Sequence, residues 1–102
     1  MPETRVVHCL REDFDTYIGR PHQLFPDGSP YFNPFKIGVD GTRREVISKY
    51  EQYLRSSPEL LKKILELDGK ILGCWCKPKS CHGDIIVKVI NELTSISTLI
   101  IF

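Results

Sequence analysis

Three thiols and an imidazole fall within nine positions of this chain, in the segment Cys74-Trp75-Cys76-Lys77-Pro78-Lys79-Ser80-Cys81-His82-Gly83-Asp84. Two chemistries fit such a run. If Cys81 opens a helix, unbonded amide hydrogens and the helix dipole favour its thiolate, and Lys77, Lys79 and His82 add positive charge, which makes Cys81 a reactive thiol. The same geometry receives a phosphate or carboxylate, with Gly83 permitting close backbone approach. Asp84 runs against a pure phosphate pocket; its carboxylate suits capping the turn, orienting His82 or bonding a ribose hydroxyl. On this reading Cys81, His82 and Asp84 are the candidate catalytic groups and Gly83 is a ligand contact. The alternative is zinc, because Cys74, Cys76, Cys81 and His82 are the ligand types of a structural Cys3His site. Spacing argues against it: zinc modules present paired ligands on flexible knuckles, whereas Cys74 and Cys76 lie in a strand-like apolar run and successive helical positions 81 and 82 point apart. The first expectation is therefore no metal and no cofactor. Packing competes with both chemistries, since cysteines in buried strands commonly serve as small apolar fillers. That account suits Cys9, Cys74 and Cys76, and Trp75 reads as core.

A second constellation lies upstream, in Tyr17-Ile18-Gly19-Arg20 and Tyr31-Phe32-Asn33-Pro34-Phe35-Lys36. Arg20 offers a planar fork for carboxylate or phosphate, Asn33 can read an amide or base edge, and Tyr17 or Phe35 can stack on a ring. The competing account is scaffolding: Gly19 and Pro34 shape a loop whose aromatics close over the core while Arg20 pairs with an acid. Arg43 and Arg44 follow at a helix start, where a cation meets the positive end of the dipole. A solvated face explains both, and service to a ligand explains the unfavourable placement, which adds Arg43 to a candidate ligand set of Tyr17, Gly19, Arg20, Asn33 and Gly83. His8 and His22 have no partner visible in sequence.

Elements must bring these groups together. Arg5-Val6-Val7-His8-Cys9-Leu10 is β-branched and short, the profile of a buried strand. Residues 17–38 carry four prolines, three glycines and five aromatics, an irregular ordered loop with a short strand at about 14–18, and long loops are often functional. Thr42 and Glu45 form a capping box for a helix to about Arg55, whose Val46, Ile47, Tyr50, Tyr53 and Leu54 recur at helical spacing. Ser57 caps a second helix with Pro58 in its first turn and Leu60, Leu61, Ile64 and Leu67 on its buried face, ended by Gly69. Residues 70–76 read as a second core strand with Cys74 and Cys76 on one face. Ser80 or Cys81 then caps a third helix with an apolar stripe of Ile85, Ile86, Val89, Ile90 and Leu93. Strands alternating with helices predict a small, mostly parallel, Rossmann-like α/β sheet packed by about three helices, with the first and the Cys-Trp-Cys strands parallel.

At 102 residues the chain supports one core and one domain, with an apolar extension at 94–102. That tail reads as another strand, a docked edge or a packed segment whose Leu99, Ile100, Ile101 and Phe102 seek burial, and it is the surface through which a homo-oligomer would form. An apolar fraction of 41% and a charged fraction of 26% exclude a disordered chain. A net charge of +1 gives no global field, so attraction to phosphate has to come from local clusters. No apolar run reaches the roughly 20 residues a spanning helix needs. The first residues lack the layout of a secretory signal, so the expectation is a cytoplasmic chain with reduced thiols and no membrane association.

The segments together resemble the family known as domain of unknown function 4326, found in bacterial and viral genomes. That family pairs a V-V-N-like strand with Y-I-G-R, N-P-F, G-T-R-E-E-like and G-C-W-C-K-P-x-x-C-H-G-D segments, matched here at residues 5–9, 17–20, 33–35, 41–45 and 73–84. The resemblance covers about residues 5–92. It departs at His8-Cys9, where asparagine is usual, and in the tail after Leu93, so neither inherits a family role. A more distant similarity to an α/β family ending in C-x-E and C-H-R implies nucleotide or nucleic-acid chemistry by analogy alone.

The reading that follows is a small α/β domain in which the Cys81-His82-Gly83-Asp84 helix start and the Arg20/Asn33 loop converge on a nucleotide-like anionic ligand, with or without a reaction at Cys81. Its rival is a non-catalytic module, zinc-stapled or simply packed, acting through protein or nucleic-acid contacts.

Overall fold

The computed structural model describes residues 3–101, with side chains described through residue 95. Three short strands, β1 (Arg5–His8), β2 (Thr16–Tyr17) and β3 (Ile71–Cys74), form one sheet in the order β1-β3-β2. Both pairings are parallel, with Val7 opposite Gly73, His8 opposite Cys74 and Tyr17 opposite Gly73. Parallel strands end at one edge, so the segments that leave the sheet after His8, Tyr17 and Cys74 emerge side by side.

Local chemistry sets the helices. α1 (Arg43–Arg55) begins at Thr42, whose Oγ1 accepts from the Glu45 amide at 3.2 Å while Glu45 Oε1 accepts from the Thr42 amide at 3.0 Å; two orphan amides are satisfied reciprocally. Val46, Tyr50 and Leu54 face the core, whereas Ile47 is only partly buried and Tyr53 is exposed. α2 (Pro58–Ile64) is capped by Ser57, which accepts from the Leu60 amide, and has Pro58 in its first turn. A 3-10 turn over Leu65–Leu67 follows, and Gly69 reverses the chain at a φ of 79°, a left-handed conformation that costs glycine little.

α3 (His82–Ile101) packs on the sheet and α1 through Ile86, Val89 and Ile90. Gly83 lets it approach: a Cβ there would stand 2.8 Å from Ile18 Cδ1 and 3.0 Å from both Val6 methyls. Beneath lies the core of Ile18, Tyr50, Leu54, Ile64 and Leu72.

Two expectations change. β3 stops at Cys74, so Cys76 lies beyond the sheet instead of on its face. The loop after it turns at a cis Lys77-Pro78 bond. The extension, expected as a strand or packed tail, continues α3 as helix to Ile101, because apolar residues without a turn signal prolong a helix already nucleated; burial of Leu99, Ile100, Ile101 and Phe102 lies outside the described side chains. No helix among the described residues is long and apolar enough to cross a membrane.

Candidate functional site

A cavity of about 460 Å³ opens at the edge where the three strands end. Its floor is Cys74, Cys76, Cys81 and His82, its walls come from Tyr17, Gly19, Arg20, His22 and Trp75 on one side and Arg43, Val46 and Ile47 of α1 on the other. Asn33, Phe35 and Lys36 also line it, as do Ile37 and Val39, which are 50% and 79% exposed. The lining carries the cations Arg20, Lys36 and Arg43, and among the described residues no carboxylate.

Cys81 is the N-cap of α3. Its Sγ accepts from the Gly83 amide at 3.3 Å, and Asp84 Oδ2 accepts from the Cys81 amide at 3.0 Å, so two amides at the helix start are satisfied locally. Asp84 also receives Lys77 Nζ at 2.5 Å. Both oxygens are thus engaged, by the Cys81 amide and by Lys77, and Asp84 lies outside the cavity lining. Gly83 likewise gives its close approach to Ile18 and Val6 and lies outside the lining.

Two of the sulfurs are in contact. Cys74 Sγ lies 3.1 Å from Cys81 Sγ. Donation by Cys74 holds the Cys81 thiol below its ordinary range, helped by the Gly83 amide and opposed by burial and the Asp84 charge. The nearby Cys76 thiol by itself lowers Cys74, but the bond to Cys81 and burial prevail and push Cys74 up to about 11. Cys76 is raised as well, by Cys74 and by burial, with Arg43 pulling the other way. The depressed thiol at the helix start therefore owes its state first to a neighbouring thiol. Lys77, expected to supply charge, is spent on Asp84.

Two thiolates on one tetrahedral ion lie about 3.8 Å apart, given a Zn–S bond of about 2.3 Å, and Cys74 and Cys81 are closer. The fourth ligand of the quartet, His82, faces elsewhere: its Nε2 lies 2.8 Å from the Ile18 carbonyl oxygen. No group of three or more His, Cys, Asp or Glu among the described residues is arranged to hold a metal.

A carbonyl only accepts, so His82 Nε2 carries the proton. Burial lowers the pKa of this imidazole and keeps it neutral, with the nearby Arg20 charge acting in the same direction. Tyr50 packs edge-on against the ring at 5.0 Å.

The upstream residues are placed at the cavity but are bonded chiefly to the chain. Arg20 donates through Nε and Nη2 to the Asn33 carbonyl at 3.1 and 2.6 Å, and through Nη2 to the Phe35 carbonyl at 2.9 Å. Asn33 donates to the Val46 carbonyl and accepts from the Phe35 amide. Tyr17 donates to the Arg20 carbonyl, accepts from Trp75 Nε1 at 2.8 Å, and stacks on Phe25 with ring centres 4.1 Å apart. Gly19 is required by that ring, since a Cβ would stand 2.6 Å from Tyr17 Cζ. Arg20 finds backbone carbonyls where an acid was expected. Arg43 is the freest of the set: Nη1 donates to the Ser80 carbonyl at 2.9 Å, and the guanidinium also faces the Cys76 sulfur.

Sequence reasoning missed Lys36, His22 and the wall role of Trp75. Trp75 is half-buried, with His22 at 4.5 Å and His8 edge-on at 5.9 Å. The aromatic richness of residues 17–38 was the available signal; which rings meet was not, because His22 reaches Trp75 only through the folded loop.

A model of the family described as a domain of unknown function (DUF4326) matches residues 4–92. The chain is 40% identical over 94 residues to an uncharacterised 12.4 kDa protein in the nrdA-td intergenic region of Enterobacteria phage T4, covering 87% of this chain and 79% of that one. It is 36% identical over 90 residues to the uncharacterised protein R718 of Acanthamoeba polyphaga mimivirus, covering 76% and 68%. No solved structure matches the chain.

Proposed function

The chain belongs to the DUF4326 family, and from that premise we propose that its cavity binds a small nucleotide-like anion, with the anionic group toward Arg43 and Lys36 and the ring along Trp75. One observation carries the reading: three cationic side chains and no carboxylate, among the described residues, line an otherwise apolar and aromatic cavity of about 460 Å³. That volume falls within the roughly 300 to 1,000 Å³ of small-molecule sites. A net charge of +1 could not produce this asymmetry by overall excess, so the cations are concentrated locally. Apolar walls strengthen their pull by excluding water, and an indole face suits a nucleobase.

Arg43 tests the idea better than Arg20, because Arg20 fastens the loop that carries Asn33 and Phe35 and its removal would rearrange the walls. Trp75 is the sole tryptophan, so its emission reports on the cavity. Titration with nucleoside monophosphates should quench it saturably, and calorimetry should give the same affinity. Arg43→Ala should weaken binding about tenfold by removing a charge-assisted hydrogen bond, with Arg43→Lys intermediate. Inorganic phosphate should bind more weakly than a nucleotide. If no nucleotide gives calorimetric heat or a fluorescence change, or if Arg43→Ala binds as the parent does, the reading fails.

A further inference from the structure

The thiols at the cavity floor carry a chemistry that anion binding does not use. Cys81 and Cys74 have their sulfurs 3.1 Å apart, each is at most 2% exposed, and both line the cavity. A disulfide requires about 2.05 Å, so closing the pair moves sulfur by roughly an ångström through side-chain torsions. The two positions sit on unlike elements, the end of β3 and the cap of α3, joined by the short turn of residues 75–80. Cys76 lies beyond the strand, two residues from Cys74. The Cys81 sulfur accepts from the Gly83 amide at 3.3 Å, at a helix N-terminus where a thiolate is favoured.

We propose that Cys81 and Cys74 form a redox-active dithiol whose oxidising substrate is a small hydroperoxide admitted through the cavity. The Cys81 thiolate attacks the distal peroxide oxygen; the O–O bond breaks, the alkoxide or hydroxide leaves and takes a proton, and Cys81 becomes a sulfenic acid. Cys74 then attacks the Cys81 sulfur, the S–O bond breaks, and the Cys74 proton departs with the hydroxyl as water, leaving the Cys74–Cys81 disulfide. Two electrons pass from the thiol pair to the peroxide. A low-molecular-weight dithiol reverses the step by exchange. One feature favours disulfide over deeper oxidation: the resolving thiol is already in contact with Cys81. The inference is independent of the nucleotide reading, since oxidation needs access to the cavity and no bound anion.

The test uses the full reduced chain and equimolar hydrogen peroxide without added anion, followed by alkylation, intact-mass measurement and peptide mapping. The chain should lose about two mass units, with one linked pair, Cys74 and Cys81, restored by dithiothreitol. Cys74→Ser should stop at a sulfenic acid trapped by dimedone, and Cys81→Ser should consume peroxide at least roughly tenfold more slowly. Mapping of the unaltered chain stands whether or not the variants fold. Pairing of Cys76 or Cys9 instead, oxygen addition without a link, or undiminished peroxide consumption by folded Cys81→Ser would overturn the proposal.

Discussion

Neutral, buried His82 makes the stability of this protein sensitive to mild acid. Burial lowers the folded pKa below the ordinary 6.5, with Arg20 acting in the same sense and Asp84 opposing. Above 6.5 the ring is neutral in both states and contributes no slope. Below it the unfolded chain takes up a proton that the folded chain refuses, so stability falls as pH drops toward the folded value, by at most about 1.4 kcal/mol per pH unit. Urea unfolding between pH 7 and 5 should show this loss, and His82→Gln should flatten it; an unchanged slope in the variant would assign the acid sensitivity elsewhere. Gly19→Ala should cost about 1 to 3 kcal/mol, as overpacking does, because its Cβ meets the Tyr17 ring; Trp75 emission should shift as its Tyr17 partner moves. Much of the site was legible at this scale. Tyr17, Arg20, Asn33, Arg43, Cys81 and His82 all reach one cavity, as their types and spacing suggested. Their bonds were not legible, because the carbonyls that engage Arg20 and the amide that engages Asn33 belong to a loop path that residue types do not encode. Asp84 shows the reverse: its cap lies within three residues, so a purely local reading named that role among others.

Helices were easier to read than strands for a physical reason. An N-cap bond joins residues only two or three apart, and Thr42 with Glu45, Ser57 with Leu60 and Cys81 with Gly83 are all of that kind. Thr42→Ala should accordingly destabilise the chain by about 1 kcal/mol, measurable by thermal melts, with Thr42→Ser close to neutral. The strands are two to four residues long, and their ends depend on neighbours distant in sequence. β3 stops at Cys74 because its partners β1 and β2 are already exhausted, the last pairs being His8 with Cys74 and Tyr17 with Gly73. Residue preferences near Trp75 and Cys76 contain no trace of that limit. The same applies to the extension after Leu93: its composition suits strand and helix alike, and continuity with α3 decides.

Across the whole molecule the sheet joins two strands from early in the sequence to a middle strand far along it. β1 and β2 come first in the chain and do not pair with each other; both pair with β3, which lies more than sixty residues after β1 and more than fifty after β2. Contacts of such separation make folding slow for a domain of this size, in the range of milliseconds to seconds. A fragment ending at Gly69 should therefore keep some helix from α1 and lose every ladder bond and its cooperative melt; a fragment that melts sharply would contradict this. On a ribosome adding about 5 to 20 residues per second, the first strand waits several seconds for its partner. During that interval Val6, Val7 and Ile18 have no sheet to enter. The nascent chain is thus exposed to its environment until the segment bearing the thiols has been made, because that segment alone supplies the partner of both earlier strands.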